Sequence, residues 1–212
     1  MFKQYRKIEH GEFFLIAGDC SQGGPDYNAG QFISKTKADI PLVYHAQGVA
    51  AQMTPEIHRV AEAIHDVTGI PPVIGFERQM GGASEMERLR VLNRLNKYSL
   101  FIMPVIGQTE EKESNKLGWD TNVLTRPILT GDMKNIVDVN GIIIYDEETI
   151  QELFWFIVNK QGKPEAMKGK NDDLVISLGV GIQMYQLCPE PLPEVTSIPS
   201  EDDIINRNWS LK

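Results

Sequence analysis

The sequence has little cysteine, no long apolar run and no excess of basic charge, and each absence argues against a class of protein. Cys20 and Cys188 are the only cysteines among 212 residues and form no CxxC pair, which argues against a disulfide framework and a zinc site. No apolar run reaches the roughly 18 residues that a membrane span requires, and the first residues lack the apolar region of a signal peptide. We therefore expect a soluble protein of a reducing, intracellular environment.

The charge balance is acidic, with a formal net charge of -8. Neutralising a nucleic-acid backbone requires clustered Lys and Arg, so the surface does not predict binding by charge alone. An enzyme that acts on nucleic acid remains compatible, because a carboxylate cluster is acidic only until divalent cations bind it. The 42% of hydrophobic residues predict one substantial core. We assign this domain to residues 1–188 and expect residues 189–212, with four of the twelve prolines, to form a peripheral or flexible extension.

Two kinds of apolar pattern alternate along the chain. Short apolar runs predict strands near residues 12–19, 29–34, 41–47, 72–77, 100–105, 142–146 and 154–158, and helices are predicted near 54–69, 84–95, 127–140, 146–153 and 172–187. The first three strands, with the Gly-rich loop SQGGPD after the first, are predicted to form an antiparallel meander. For the first helix, Thr54 is the expected N-cap, Pro55 the first helical residue and Gly69 the C-terminal stop. For the second, Ser84–Glu87 matches a capping box, with Leu95 expected to face inward. This order predicts an α/β sandwich with a mixed central β-sheet flanked by helices.

Acidic residues stand at the ends of three apolar elements that are far apart in sequence. Asp19 ends the first strand, Glu77 ends a later strand, and the pair Asp172 and Asp173 begins the last helix. Strand carboxyl ends and helix amino ends share one edge of an α/β sheet, so these acids are expected to converge. Close carboxylates repel one another unless a cation holds them, and oxygen ligands favour Mg²⁺ or Mn²⁺. Two such ions about 4 Å apart can activate water and stabilise the leaving oxygen of a phosphodiester.

Each of these acids also has a purely structural interpretation. Asp19 suits a turn, and Asp172 and Asp173 suit a helix start, where they cap N–H groups and face the positive end of the dipole. Glu77 is harder to explain in this way, because Glu is depleted in strands and is a poor turn former. From spacing alone, the metal-site and structural interpretations both stand.

Five segments together resemble the C-terminal nuclease domain of phage terminase large subunits. They lie in the family's order within residues 12–187 and read LIAGDCSQGGPDYNAGQF, VIGFERQMGG, LGWDTNVLTRPIL, IIIYDEETIQELFWFIV and KGKNDDLVISLGVG. The resemblance implies a ribonuclease H-like fold and a metal-dependent endonuclease that cuts double-stranded viral DNA, with little sequence preference, during genome packaging in the host cytoplasm. It also implies Mg²⁺ or Mn²⁺, two ions, bound by Asp19, Glu77, Asp172 and Asp173, with Asp173 favoured within the pair.

The resemblance also implies partners, and the sequence departs from the family's pattern in some respects. The partners are DNA, a terminase ATPase domain, the portal and the small terminase subunit. Cys20 stands where the family often has Pro, and Gln79 where it often has Asn. No GxxxxGK[ST] phosphate loop occurs in the sequence, so the ATPase domain is absent from this chain and we expect no ATPase activity.

Several further residues are candidates for lesser roles. Arg78, Lys168 and Lys170 flank the acids and could contact phosphates, or could be solvated surface charge. Gly81, with Gly82, could let a DNA backbone approach, or could form a helix-entry turn. Asp26 could support the metal ligands without itself contacting a metal ion, or could form local hydrogen bonds in its turn. His45, His58 and His65 show no shared ligand spacing, and we expect them at the surface or in packing.

Two rival functions remain open at this point. An actin-like or sugar-kinase domain also begins with a strand, an acid and a Gly-rich turn, but normally needs two such lobes. A non-catalytic docking module of a packaging motor would suit the acidic surface, but would not require all three acidic positions to be filled. Nucleotide binding would identify the first, and failure to bind metal would identify the second.

Overall fold

A mixed β-sheet with helices on both faces organises the described part of the chain. The computed structural model describes residues 1–105 and 115–191, which contain five helices. In chain order the elements are β1 (Phe2–Gln4), β2 (Phe14–Asp19), β3 (Gln22–Ser34), β4 (Asp39–Val49), α1 (Ala50–Thr68), β5 (Val73–Phe76), α2 (Gly82–Leu92), β6 (Ser99–Leu100), α3 (Thr125–Asp138), β7 (Ile143–Ile144), α4 (Glu147–Trp155), β8 (Phe156–Val158), β9 (Pro164–Ala166) and α5 (Asp173–Leu187). Within these residues, none of the helices has the length and apolar character to cross a bilayer.

The main sheet has seven strands in the order β1-β4-β3-β2-β5-β6, with β7 added to β4. Strands β2, β3 and β4 form the antiparallel meander that the sequence predicted. Strand β5 then pairs in parallel with β2, and β6 in parallel with β5, because α1 and α2 return the chain to the same end of the sheet. The carboxyl ends of β2 and β5 therefore lie side by side.

The two faces of the sheet bury two separate hydrophobic clusters. In β2 the side chains alternate between them: Phe14 and Ile16 pack with α1 and α2, whereas Leu15 and Ala17 pack with α3 and α5. Burial on both faces explains why β2 reads as a continuous apolar run. Helix α5 is buried over most of its length, so it is a central element rather than a surface helix.

The first helix begins earlier than the sequence predicted. Helix α1 starts at Ala50, directly after β4, so Thr54 and Pro55 lie inside it. Proline provides no N–H for the carbonyl four residues before it, which leaves the Ala51 oxygen without its helical bond. Arg88 of α2 donates to that oxygen at 2.8 Å. Gly69 ends α1 in the left-handed conformation, as predicted.

The second helix and the strand after it also differ from the prediction. Helix α2 begins at Gly82 with Gly81 as its N-cap, so the Ser84 capping box does not form. Leu95 lies beyond the helix and is 69% exposed. The strand predicted over 100–105 is limited to Ser99–Leu100, and Pro104 cannot donate to a continued ladder.

Strand boundaries differ at the start of the chain. The Gly-rich segment predicted as a loop is part of β3, where Gln22 pairs with Val49 before a bulge and pairing resumes at Tyr27. Positive φ angles at Gly23 and Gly24 allow this bulge. Strand β1 was missed, because its three residues are too few to show alternation. Of the predicted extension, residues 192–212 lie outside the described residues, so the proposed domain limits stay a prediction.

Candidate metal centre

Asp19 and Glu77 are placed together by the parallel pairing of β2 and β5. Asp19 is the last residue of β2, and Glu77 directly follows β5. The backbone N–H of Glu77 donates to the Gly18 carbonyl at 2.7 Å, which continues the ladder to the end of both strands. The Glu77 carboxyl group is near enough to raise the pKa of Asp19. The side chains are buried, since the residues are only 8% and 7% exposed.

Burial and like charge act together on this pair. Burial is the largest cause that raises the pKa of Asp19 well above its ordinary value, followed by the charge of Glu77 and the charges of Asp173 and Asp172. No ion pair to Asp19 or Glu77 occurs within residues 1–105 and 115–191. The fold therefore concentrates negative charge here without compensating it.

The start of α5 brings the third acid to the same edge. Asp173 is the first residue of α5, and its negative charge contributes to raising the pKa of Asp19. Burial, then Asp172 and then Asp26, raise the pKa of Asp173 to about 6, against the N–H groups of Tyr27 and of Asp173 itself. Asp172 instead lies 3.9 Å from Arg126 in an ion pair. The geometry thus favours Asp173 as a direct ligand and puts Asp172 beside it.

Two residues that sequence reasoning did not select lie next to Asp173. His45 of β4, Glu152 of α4 and Asp173 each offer one ligand atom, and these atoms lie within 4.8 Å of one another. Glu152 is buried and accepts hydrogen bonds from the backbone N–H groups of Leu174 and Val175, at 2.8 and 3.3 Å. It caps α5 from another helix, a role that Asp172 does not perform.

A signal for Glu152 existed in the sequence, whereas none existed for His45. Glu152 lies in IIIYDEETIQELFWFIV, one of the five segments that resemble the terminase nucleases. Burial and the charges of Asp173 and Asp172 raise its pKa to about 7, although the two N–H groups oppose this. His45 was expected at the surface or in packing, because nothing in the local sequence indicates what covers its face of the sheet.

The donor set fits a divalent cation. Asp19, Glu77 and Asp173 offer only carboxylate oxygens, which are the ligands of Mg²⁺ and Mn²⁺. Two buried carboxyl groups in contact are costly when both are ionised, and a bound cation removes that cost. The three acids come from three different elements. Among the described residues, the group of three ligand atoms that lie within 4.8 Å of one another is that of His45, Glu152 and Asp173, so the ligand atoms of Asp19, Glu77 and Asp173 are more widely spaced than this.

Comparison with solved structures identifies the architecture. The large terminase nuclease of thermophilic phage G20c with bound cobalt matches with a TM-score of 0.59 and 16% identity, over 85% of this chain and 84% of that chain. Its form with bound magnesium matches at 0.57 and 15%, over 85% and 84%. The large terminase nuclease domain of bacterial virus Sf6, with manganese and beta-thujaplicinol, matches at 0.52 and 13%, over 86% and 90%. The fold is that of the large terminase nucleases. No family model and no curated protein matches the sequence.

Within this terminase nuclease fold, the residues proposed for DNA contact have mixed surroundings. Arg78 is half-buried and donates to the Leu117 carbonyl at 2.6 Å, so part of its guanidinium has a structural role. Lys168 is exposed, and Lys170 holds its ammonium 3.7 Å from the centre of the Trp155 ring. Their DNA-contact roles stay predictions.

The two glycines after β5 form the entry to α2. Gly81 has a φ of 96°, which favours glycine. A Cβ on Gly82 would lie 1.7 Å from the Glu77 carbonyl oxygen. The absence of a side chain at Gly82 therefore lets α2 start directly against the strand end that carries Glu77.

Proposed function

We propose that this chain is a divalent-metal-dependent endonuclease that cleaves double-stranded DNA during the packaging of a viral genome. The observation that carries the proposal is the pairing of the ends of β2 and β5, which places Asp19 beside Glu77 in a terminase nuclease fold, with the charge of Asp173 near enough to raise the pKa of Asp19. The structural relatives named above were solved with cobalt, magnesium or manganese. Mg²⁺ or Mn²⁺, as two ions, is the proposed cofactor.

The chain's own residues have distinct parts in this proposal. Asp19 and Glu77 would hold the cations, since both lie at the end of the β2–β5 ladder. Asp173 closes the site from α5, and Asp172 adds negative charge beside it. Bound there, two cations supply an activated water and stabilise the leaving oxygen of the phosphodiester.

The negative net charge of the chain does not favour DNA binding. With a charge of -8, the isolated domain is expected to bind DNA weakly and mainly through the cations, with Arg78, Gly81, Lys168 and Lys170 as proposed backbone contacts. Contacts with a backbone carry no sequence information, so cleavage should show little sequence preference. An ATPase domain, the portal and the small terminase subunit, in the host cytoplasm, are the proposed partners that deliver DNA.

Cleavage of supercoiled plasmid tests the proposal directly. The chain should nick and linearise plasmid with Mg²⁺ or Mn²⁺ and should lose this activity in EDTA. Asp19→Asn, Glu77→Gln and Asp173→Asn should each reduce the rate by at least about 100-fold, because each removes charge that holds the cations. The matched control is Asp138→Asn, which changes an exposed acid paired with Lys134 on α3 and should leave the rate unchanged.

One outcome would contradict the proposal. We call the sheet edge that carries Asp19, Glu77 and Asp173 the acidic edge. If Asp19→Asn cleaved plasmid as fast as the parent chain, the acidic edge would not be the catalytic centre. A folded parent chain that neither cleaves DNA nor binds metal would instead favour a docking module.

A further inference from the structure

We propose that His45, Glu152 and Asp173 form a second, mixed imidazole–carboxylate site that binds a divalent transition-metal ion beside the acidic edge. The three residues come from β4, α4 and α5, and their ligand atoms lie within 4.8 Å of one another. Ligand atoms around a single ion lie about 3–4 Å apart, so small side-chain rotations suffice to complete the site.

His45 is held in the orientation of a metal ligand. Its Nδ1 lies 2.9 Å from Oε2 of Glu148, and its ring stacks on Tyr27 at a centroid distance of 4.4 Å. Its Nε2 is buried and has no hydrogen-bond partner among the described residues. A carboxylate on one ring nitrogen fixes the tautomer and leaves the other nitrogen to ligate. Nε2 is therefore the atom available to a metal, and an unpartnered buried nitrogen is otherwise costly.

Glu152 and Asp173 supply negative charge that the described chain does not balance. Oε2 of Glu152 accepts the N–H groups of Leu174 and Val175, whereas Oε1 has no hydrogen bond within residues 1–105 and 115–191. Across the same residues neither acid forms an ion pair with Lys or Arg. The nearby Lys170 lies over the Trp155 ring instead, in the cleft that His45 and Glu152 also line.

The donor set distinguishes this site from the acidic edge. An imidazole with two carboxylates suits Mn²⁺, Co²⁺ or Zn²⁺, whereas Mg²⁺ prefers oxygen ligands alone. Asp173 has two oxygens and can face both positions. The two sites share Asp173, but binding at His45 can be tested apart from the proposed function, because neither Asp19 nor Glu77 belongs to this second site.

Cobalt binding in the presence of saturating Mg²⁺ tests the proposal. The untagged full chain is titrated with Co²⁺ and followed by equilibrium dialysis and by the visible absorption of the bound ion. We expect one Co²⁺ that Mg²⁺ does not displace. His45→Gln should weaken its binding by about 10- to 100-fold or more, since loss of an outer partner alone has an effect of that size. Glu148→Gln, which removes the negative charge beside Nδ1 but keeps an acceptor oxygen, should weaken it less.

Two control variants separate this site from the nuclease centre. His58→Gln changes a histidine of α1 that lies 3.0 Å from the Tyr98 hydroxyl, and it should retain Co²⁺. Asp19→Asn should lose plasmid cleavage and still retain Co²⁺. Circular dichroism checks that each variant is folded.

Equal Co²⁺ affinity and absorption in folded His45→Gln and parent chains would overturn the proposal. Loss of the Co²⁺ in Asp19→Asn would also overturn it, because the ion would then belong to the acidic edge. A chain that fails to cleave plasmid but shows His45-dependent Co²⁺ binding would refute the nuclease function alone.

Discussion

Two groups of buried carboxylates lie at opposite ends of β2, and they differ in whether basic side chains pair with them. Glu12, just before β2, and Asp39, at the start of β4, share one arginine, Arg6. At the other end, Asp19 and Glu77 face each other with no basic partner in the described part of the chain. The first group is neutralised by the protein itself. The second is the proposed binding site for cations from solution.

Arg6 satisfies the first group through paired hydrogen bonds. Its guanidinium donates to both oxygens of Asp39, each at 2.6 Å, and to both oxygens of Glu12, at 2.9 and 2.6 Å. Ser34 adds a bond to Glu12 at 2.7 Å. Such bidentate pairs are the strong form of a charge-assisted hydrogen bond. Buried negative charge therefore serves stability here, whereas at the acidic edge it opposes stability until a cation binds.

Removing Arg6 should leave the first group without its main basic partner, as in the second group. This change should have the largest effect on the free energy of unfolding. Arg6→Met leaves Asp39 buried without its cation and Glu12 with only Lys37, at 3.6 Å, so the free energy of unfolding should fall by about 3–5 kcal/mol. Urea denaturation measures the loss. Arg59→Met, which changes an exposed arginine paired with Glu56, should lower it by less than about 0.5 kcal/mol. Equal losses in the two variants would contradict the assigned role of Arg6.

Adding Mg²⁺ should make the second group resemble the first. An ion that binds only the folded chain stabilises it by about 2.7 kcal/mol at 100 times its Kd. Thermal unfolding should therefore shift upward with Mg²⁺ in the parent chain and in Asp138→Asn. The shift should disappear in Asp19→Asn. An unchanged shift in Asp19→Asn would place the stabilising ion elsewhere.

Acid should weaken the first group by a smaller amount. Burial opposes ionisation of Glu12, but Arg6, Ser34 and the Glu9 N–H outweigh it and lower the pKa from 4.5 to about 2. A lowered pKa contributes stability that is present above about pH 4.5 and is lost as the pH falls towards 2. Relative to Glu12→Gln, the parent chain should lose about 2 kcal/mol between pH 7 and pH 3. A difference that stays constant over this range would show that the Glu12 carboxylate is not stabilised by folding.

The sequence predicted the layers of the fold better than the limits of its elements. The apolar residues of β2 and of α5 indicated the mixed sheet and its closing helix, because burial leaves a direct pattern in the sequence. The start of α1 was predicted wrongly, since Thr54 and Pro55 form a favourable local signal. Tertiary contacts overrode that signal, because Arg88 satisfies the carbonyl that Pro55 leaves free.

The site was accessible to sequence reasoning only where residues end strands or begin helices. Asp19, Glu77 and Asp173 occupy such positions, so a sheet edge could be expected to gather them. Their roles as ligands stay predictions. His45 and Glu152 could not be placed in this way, because their nearness to Asp173 depends on how α4 packs against β4 and α5.

The order of the three acids along the chain has a consequence for synthesis. Asp19 and Glu77 are translated early, but Asp173 opens α5, more than 150 positions after Asp19. Helix α5 is also the buried support of β2, so the sheet lacks its main cover until this helix arrives. For the proposed nuclease, a nascent or prematurely terminated chain that lacks α5 would be unable to cut DNA. Cleavage would become possible only after the polypeptide has been synthesised through this helix.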